Sequence, residues 1–173
     1  MRSFSEEKKT GTIELLLTRP ITDMEIIMGK FLSALALTCI AILPTFIYVF
    51  SLSKWLTGPN AGIDGGAIFG AYVGLIFLSG ILVGIGILCS SLTENQIVAF
   101  LMSFFIILFF LLIKFALIYI PASMASVFEY LSVNYHYASI SRGVIDTRDL
   151  IYYLSGIVIL LLLTKTSLER RKW

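Results

Sequence analysis

The sequence predicts an all-α, polytopic helical membrane protein with four spanning helices and a short polar helix in front of them. Three observations carry that prediction. Hydrophobic residues fill 58% of the 173 positions and charged residues only 14%. Mean hydropathy is +0.93, well outside the range of water-soluble domains. The apolar residues are also gathered into four runs, 27–52, 67–92, 96–120 and 150–168, each close to the roughly 20 residues that a helix needs to cross a bilayer core.

Charge excludes several classes and sets an orientation. A net charge of +2, with the basic residues at the ends of apolar runs, is no footprint for nucleic acid. A polar opening followed by a run too long for a signal peptide keeps the beginning of the chain on the side where it is made. Arg2, Lys8, Lys9, Arg19 and Lys30 precede the first run, and Lys165, Arg170, Arg171 and Lys172 follow the last. An even number of crossings puts both groups on one side. Lys54, Arg142 and Arg148 fall on the other, offset by Asp64, Glu129, Asp146 and Asp149. The positive-inside rule then predicts cytoplasmic termini and outward loops at 53–66 and 121–149.

The elements follow in order. Residues 1–26 form a cytoplasmic segment in which Thr12 caps a short helix from Ile13 to Leu17, Gly11 permits a sharp entry and Pro20 stops it. Thr22-Asp23-Met24-Glu25 is a capping box that launches the first span. Pro44 removes a backbone hydrogen bond in the outer half of that span and predicts a bend. The second span carries Gly66, Gly70 and Gly74, then Gly80 and Gly84, a four-residue spacing that lets a neighbouring helix approach closely, in the same chain or a second copy. Thr93 and Gln96 have capping-box spacing, so the third span is expected to begin there.

The third span is rich in phenylalanine, which is read as lipid and helix packing. Its Lys114, the ionisable residue deepest in an apolar run, either snorkels outward or faces a polar cavity on a translocation path. Residues 121–149 hold Phe128, Tyr130, Tyr135, His136 and Tyr137, which favour short interfacial helices over a solvated loop. His136, the single histidine, is read as an interfacial hydrogen-bonding residue. The fourth span is the shortest and needs Tyr152, Tyr153 and Leu168 to reach across. Cys39 and Cys89 lie at different depths and are read as small packing residues rather than a disulfide.

Catalysis by this chain is not expected. One histidine cannot supply an HExxH zinc pair, and the spans lack clustered carboxylates or histidines for an ion path. Gly29-Lys30 has Met24 where a phosphate-binding loop needs its first glycine. No catalytic, cofactor-binding or metal site is therefore assigned.

The run Ser5-Glu6-Glu7-Lys8-Lys9-Thr10-Gly11-Thr12-Ile13-Glu14-Leu15-Leu16-Leu17-Thr18-Arg19-Pro20, then Glu25 and Gly29-Lys30-Phe31, strongly resembles the cytoplasmic coupling segment of ABC type 2 transporter permeases. An acidic pair, basic residues, Gly-Thr, a glutamate, leucines and a proline precede a Gly-Lys that opens the next helix. Arg142-Gly143-Val144-Ile145-Asp146, Arg148-Asp149-Leu150 and Leu168-Glu169-Arg170-Arg171 resemble the family's last outer loop and last helix, so the likeness covers the whole chain. The branch it resembles is the permease subunit associated with bacterial gliding motility.

The resemblance implies an exporter in the bacterial inner membrane, with a second permease copy or paralogue, and with ATP bound by a separate ATPase subunit. It places the ATPase contacts at Glu6, Glu7, Gly11, Thr12, Glu14, Leu16 and Pro20. Family members usually have six spans, so Met1-Arg2 is expected to match an internal position, with two spans encoded upstream. The competing expectations are a structural membrane anchor or assembly subunit, a secondary transporter or channel, and an intramembrane enzyme.

Overall fold

The protein is seen in a computed structural model that describes residues 2–12, 22–55, 64–116, 129–130, 132–144 and 146–170. Its described helices are α1 (Arg2–Lys9), α2 (Asp23–Ile42), α3 (Phe46–Trp55), α4 (Gly65–Leu92), α5 (Gln96–Ala116), α6 (Val133–Ile140) and α7 (Thr147–Glu169), and no strand occurs among these residues. Among the described residues, four stretches are long and apolar enough to cross a membrane: Asp23–Trp55, Gly65–Leu92, the opening of α5, and α7.

Local chemistry explains where these helices begin. At α2 the Thr22 amide donates to Glu25 Oε2 at 2.8 Å and the Glu25 amide donates to Thr22 Oγ1 at 3.4 Å, so both halves of the capping box form. Asp64 caps α4 by accepting from the Gly66 and Ala67 amides, and Asp146 caps α7 by accepting from the Arg148 amide at 3.0 Å. At α5 the expected Thr93–Gln96 cap is replaced. Asn95 Oδ1 accepts from the Ile97 amide at 2.9 Å and the Asn95 carbonyl accepts from Ala99, because a short side chain directly before the first turn reaches its orphan amides most easily. Thr93 sits two residues back, where its hydroxyl accepts from the Asn95 amide.

Pro44 has the effect its chemistry requires. Without an N–H it cannot continue the α-helical ladder, and residues Leu43–Thr45 form a 3-10 turn between α2 and α3. That break is tied to α4: Thr45 Oγ1 lies 2.8 Å from the Tyr72 hydroxyl, and the Phe46 ring stacks on Tyr72 at 4.2 Å.

The bundle is built around α4, which packs against α1, α2, α5, α6 and α7. In its most apolar window 56% of residues are buried, against 11–17% for the other three spans, so α4 is the core and the others turn most of their surface outward. In lipid the burial of apolar surface gives little drive for helices to associate; close approach and dispersion must do it. The glycines provide that approach, and the neighbour is in the same chain. A Cβ at Gly70 would overlap the Ile140 carbonyl oxygen of α6, one at Gly74 would press on the Tyr137 ring, and one at Gly80 would lie 2.7 Å from Ile157 of α7. Gly143 has φ +84° and faces the Gly66 backbone, so the turn after α6 needs glycine both for its left-handed backbone and for its lack of bulk.

The outward faces are mostly apolar. On α5, Phe100, Phe104, Phe105, Phe109 and Phe115 are exposed while Ala99 and Ser103 face inward and are fully buried. Cys39 and Cys89 are both free thiols, the second buried in α4.

Candidate functional site

The polar opening of the chain is docked onto the bundle. Helix α1 buries Phe4 and Ser5 completely, and Phe4 joins a cluster with Ile27 and Phe31 of α2, Ile87 of α4, and Leu161 and Leu168 of α7. The first amides of any helix lack intrahelical acceptors. In α1 the amides of Phe4 and Ser5 both donate to Ser90 Oγ of α4, at 2.9 and 3.0 Å. A serine on a different helix thus caps α1.

The last carbonyls of α4 have the opposite need, and α1 supplies it. The Lys8 ammonium donates to the Ser91 carbonyl, and Ser167 Oγ of α7 donates to the same oxygen at 3.4 Å. A cation at the C-terminal end of α4 also complements the helix dipole. A third link runs to α2: Lys30 Nζ lies 2.5 Å from Glu7 Oε1 and 4.6 Å from the centre of the Phe4 ring. Helix α1 therefore holds the same-side ends of three spanning helices at once.

The predicted coupling residues divide accordingly. Glu7 faces α2, with its Oε2 buried and without a partner among the described residues. Glu6, Lys9 and Thr10 line a cavity of about 710 Å³ shared with Glu94, Asn95, Gln96 and Ile97 of the α4–α5 turn. Gly11 has φ +71° with open space around it, so its contribution is the left-handed turn that ends α1. The Thr12 hydroxyl reaches back, 2.9 Å from Thr10 Oγ1 and 3.4 Å from the Glu7 carbonyl. Glu14, Leu16 and Pro20 lie outside the described residues, as does the side chain of Lys114.

The family model described as ABC-2 family transporter protein matches residues 1–172. The chain belongs to that family. As an ABC-2 protein it is a membrane permease subunit of an ABC transporter, a transport subunit that works in the membrane with an ATPase. A search of curated proteins and one of solved structures found no match.

The ABC-2 bundle carries a second polar centre at the other end of α4. Twenty residues separate Gly70 from Ser90, roughly 30 Å at 1.5 Å per residue. There α6 folds back against α4, α5 and α7. His136 is 1% exposed; its Nδ1 lies 2.6 Å from Asp149 Oδ1 and its Nε2 lies 2.9 Å from the Tyr130 carbonyl. The Tyr152 ring stacks on the imidazole at 4.0 Å, and Tyr130, Tyr135 and Tyr153 meet it edge-on. Tyr153 is fully buried and donates its hydroxyl to the Val133 carbonyl at 3.0 Å. Tyr130, Tyr135, His136 and Asp149 line a cavity of about 700 Å³ together with Glu129, Arg142, Asp146 and Arg148.

Sequence reasoning placed His136 among tyrosines as a hydrogen-bonding residue but missed its partner. Asp149 read as a loop charge; it sits in the first turn of α7 with its side chain 7% exposed. No local pattern signals this pairing, because the two residues are 13 positions apart.

Proposed function

We propose that this chain is the membrane-spanning half of an ABC exporter in which α1 and the segment after it receive force from a separate ATPase and pass it into the spans. The observation that carries this reading is the attachment of one short polar helix to α2, α4 and α7 together. A rigid element bound to three spans transmits displacement to all of them, whereas a passive interfacial anchor needs only an apolar face. Both ends of the chain lie in the cytoplasm, as the basic residues beside α1 and after α7 favour. The ATPase takes Glu6, Gly11, Thr12, Glu14, Leu16 and Pro20 as its contacts, and Glu7 serves as the link to α2.

A second permease copy or a paralogue sits beside the first, and the transported molecule leaves the cell between them, past Lys114. The bacterial inner membrane is the setting, and gliding motility the process that the closing motifs favour. Coupling requires that the docked residues bind the two nucleotide states of the ATPase differently.

The experiment is a charge reversal, Glu14→Lys, in the permease reconstituted with its ATPase in lipid. The expected result is continued ATP hydrolysis with loss of transport, while insertion and complex recovery stay as in the parent. Unchanged transport per ATP would overturn the assignment of the coupling segment. Recovery of the permease without any stoichiometric ATPase would favour the anchor reading.

A further inference from the structure

We propose that His136 and Asp149 form a buried proton-binding site beside the cavity opposite α1, one whose proton lets the ring hold both of its polar contacts at once, to the first turn of α7 and to the segment before α6. The argument is a count of donors. The Tyr130 carbonyl can only accept a hydrogen bond, and an ionised Asp149 carboxylate can only accept. His136 contacts both through its two ring nitrogens. A neutral imidazole has a single N–H and so satisfies one of these contacts while turning a lone pair toward the other.

The observed pair of contacts therefore needs one proton beyond neutral histidine plus carboxylate. That proton lies between Nδ1 and Oδ1, either on the ring as an imidazolium or on the acid, and the count is the same in both forms. Asp149 Oδ2 and Ser132 Oγ are buried without partners among the described residues, and the Tyr152 ring stacks on the imidazole at 4.0 Å, so the pair is enclosed on several sides.

The ionisable groups around the pair come from several elements. Tyr135 and Tyr137 stand on α6, Tyr130 and Glu129 precede it, and Arg142 and Asp146 follow it. On α7 are Arg148, Tyr152 and Tyr153. From α4 the apolar ring of Phe77 lies beside Tyr153. Release of the proton breaks either the Tyr130 or the Asp149 contact, and α6 loses one of its two polar attachments through this ring.

Because the chain contains one histidine, ¹⁵N-histidine labelling of the full chain in lipid nanodiscs reports a single ring. The ring and the exchange protection of the α6 amides are followed together from about pH 5 to about pH 9, a range that brackets histidine titration. The expected result is one proton lost from the ring and acid, with α6 protection falling at least tenfold at the same midpoint. In Asp149→Asn the ring should lose its second proton with at least tenfold lower proton affinity. A ring with one bare nitrogen throughout, or α6 protection that ignores the ring's titration, would overturn the proposal. The second readout uses the unaltered chain, so it decides even where Asp149→Asn does not insert.

Discussion

Ser90 shows how much one hydroxyl can hold. It accepts from two amides of α1 in a fully buried setting, and Ser90→Ala leaves both donors without that acceptor. An unsatisfied buried donor costs about 1–3 kcal/mol. The variant should therefore release α1 while leaving the spans folded, and hydrogen exchange over residues 2–9 should quicken by roughly thirtyfold, the equivalent of about 2 kcal/mol. Glycines provide an internal control at the same scale. Gly70→Ala drives a methyl group into the Ile140 carbonyl, and overpacking of this kind costs about 1–3 kcal/mol. Gly29→Ala meets nothing within 4 Å and should be neutral or stabilising by up to about 1 kcal/mol through helix propensity. Thermal unfolding in one detergent distinguishes the two, with a lower midpoint expected only for Gly70→Ala.

Among the elements, the ion pair between α1 and α2 is the clearest test of a mechanical link. Glu7 and Lys30 side chains are 28% and 19% exposed, so water screens their attraction only in part. Glu7→Lys and Lys30→Glu should each loosen α1, and the double exchange should restore docking, with a coupling energy of about 0.5–3 kcal/mol in a double-mutant cycle read by exchange of α1. Additive losses would mean that the pair contributes nothing to docking. The elements also show what a sequence can and cannot disclose. The Thr22–Glu25 box lies within four consecutive residues and is legible at sight. The cap of α1 is not, because its acceptor lies 86 and 85 residues away from the two amides it serves. Asp149 was obscure for the same reason: its pairing with His136 depends on the turn of α6 back toward α7, which no local pattern encodes. At α5, Thr93 and Asn95 offered rival caps, and only the backbone geometry chooses Asn95.

For the molecule as a whole, the four apolar runs and the glycine spacing of the second were legible because length and composition set both. The central position of α4 was not, since all four runs read alike as spans and burial depends on which helix packs against which. That contrast is measurable. A spin label on a cysteine replacing Phe105, which is 61% exposed, should be relaxed strongly by lipid-dissolved oxygen. One replacing Ile85, which is 3% exposed, should be relaxed several-fold less. In the assembled transporter, labels at Leu37 and Ile47 should become shielded if a second permease covers the α2–α3 face; oxygen access equal to that of the isolated chain would place the second copy elsewhere. The Ser91 carbonyl has a consequence for the choice of reporters. Lys8, from one extreme of the chain, and Ser167, from the other, both donate to this single oxygen. A fluorescent donor–acceptor pair on exposed Lys9 and Glu169 would therefore read out α1 seating as a change in energy transfer, and time-resolved traces during nucleotide turnover would follow each stroke from within the permease.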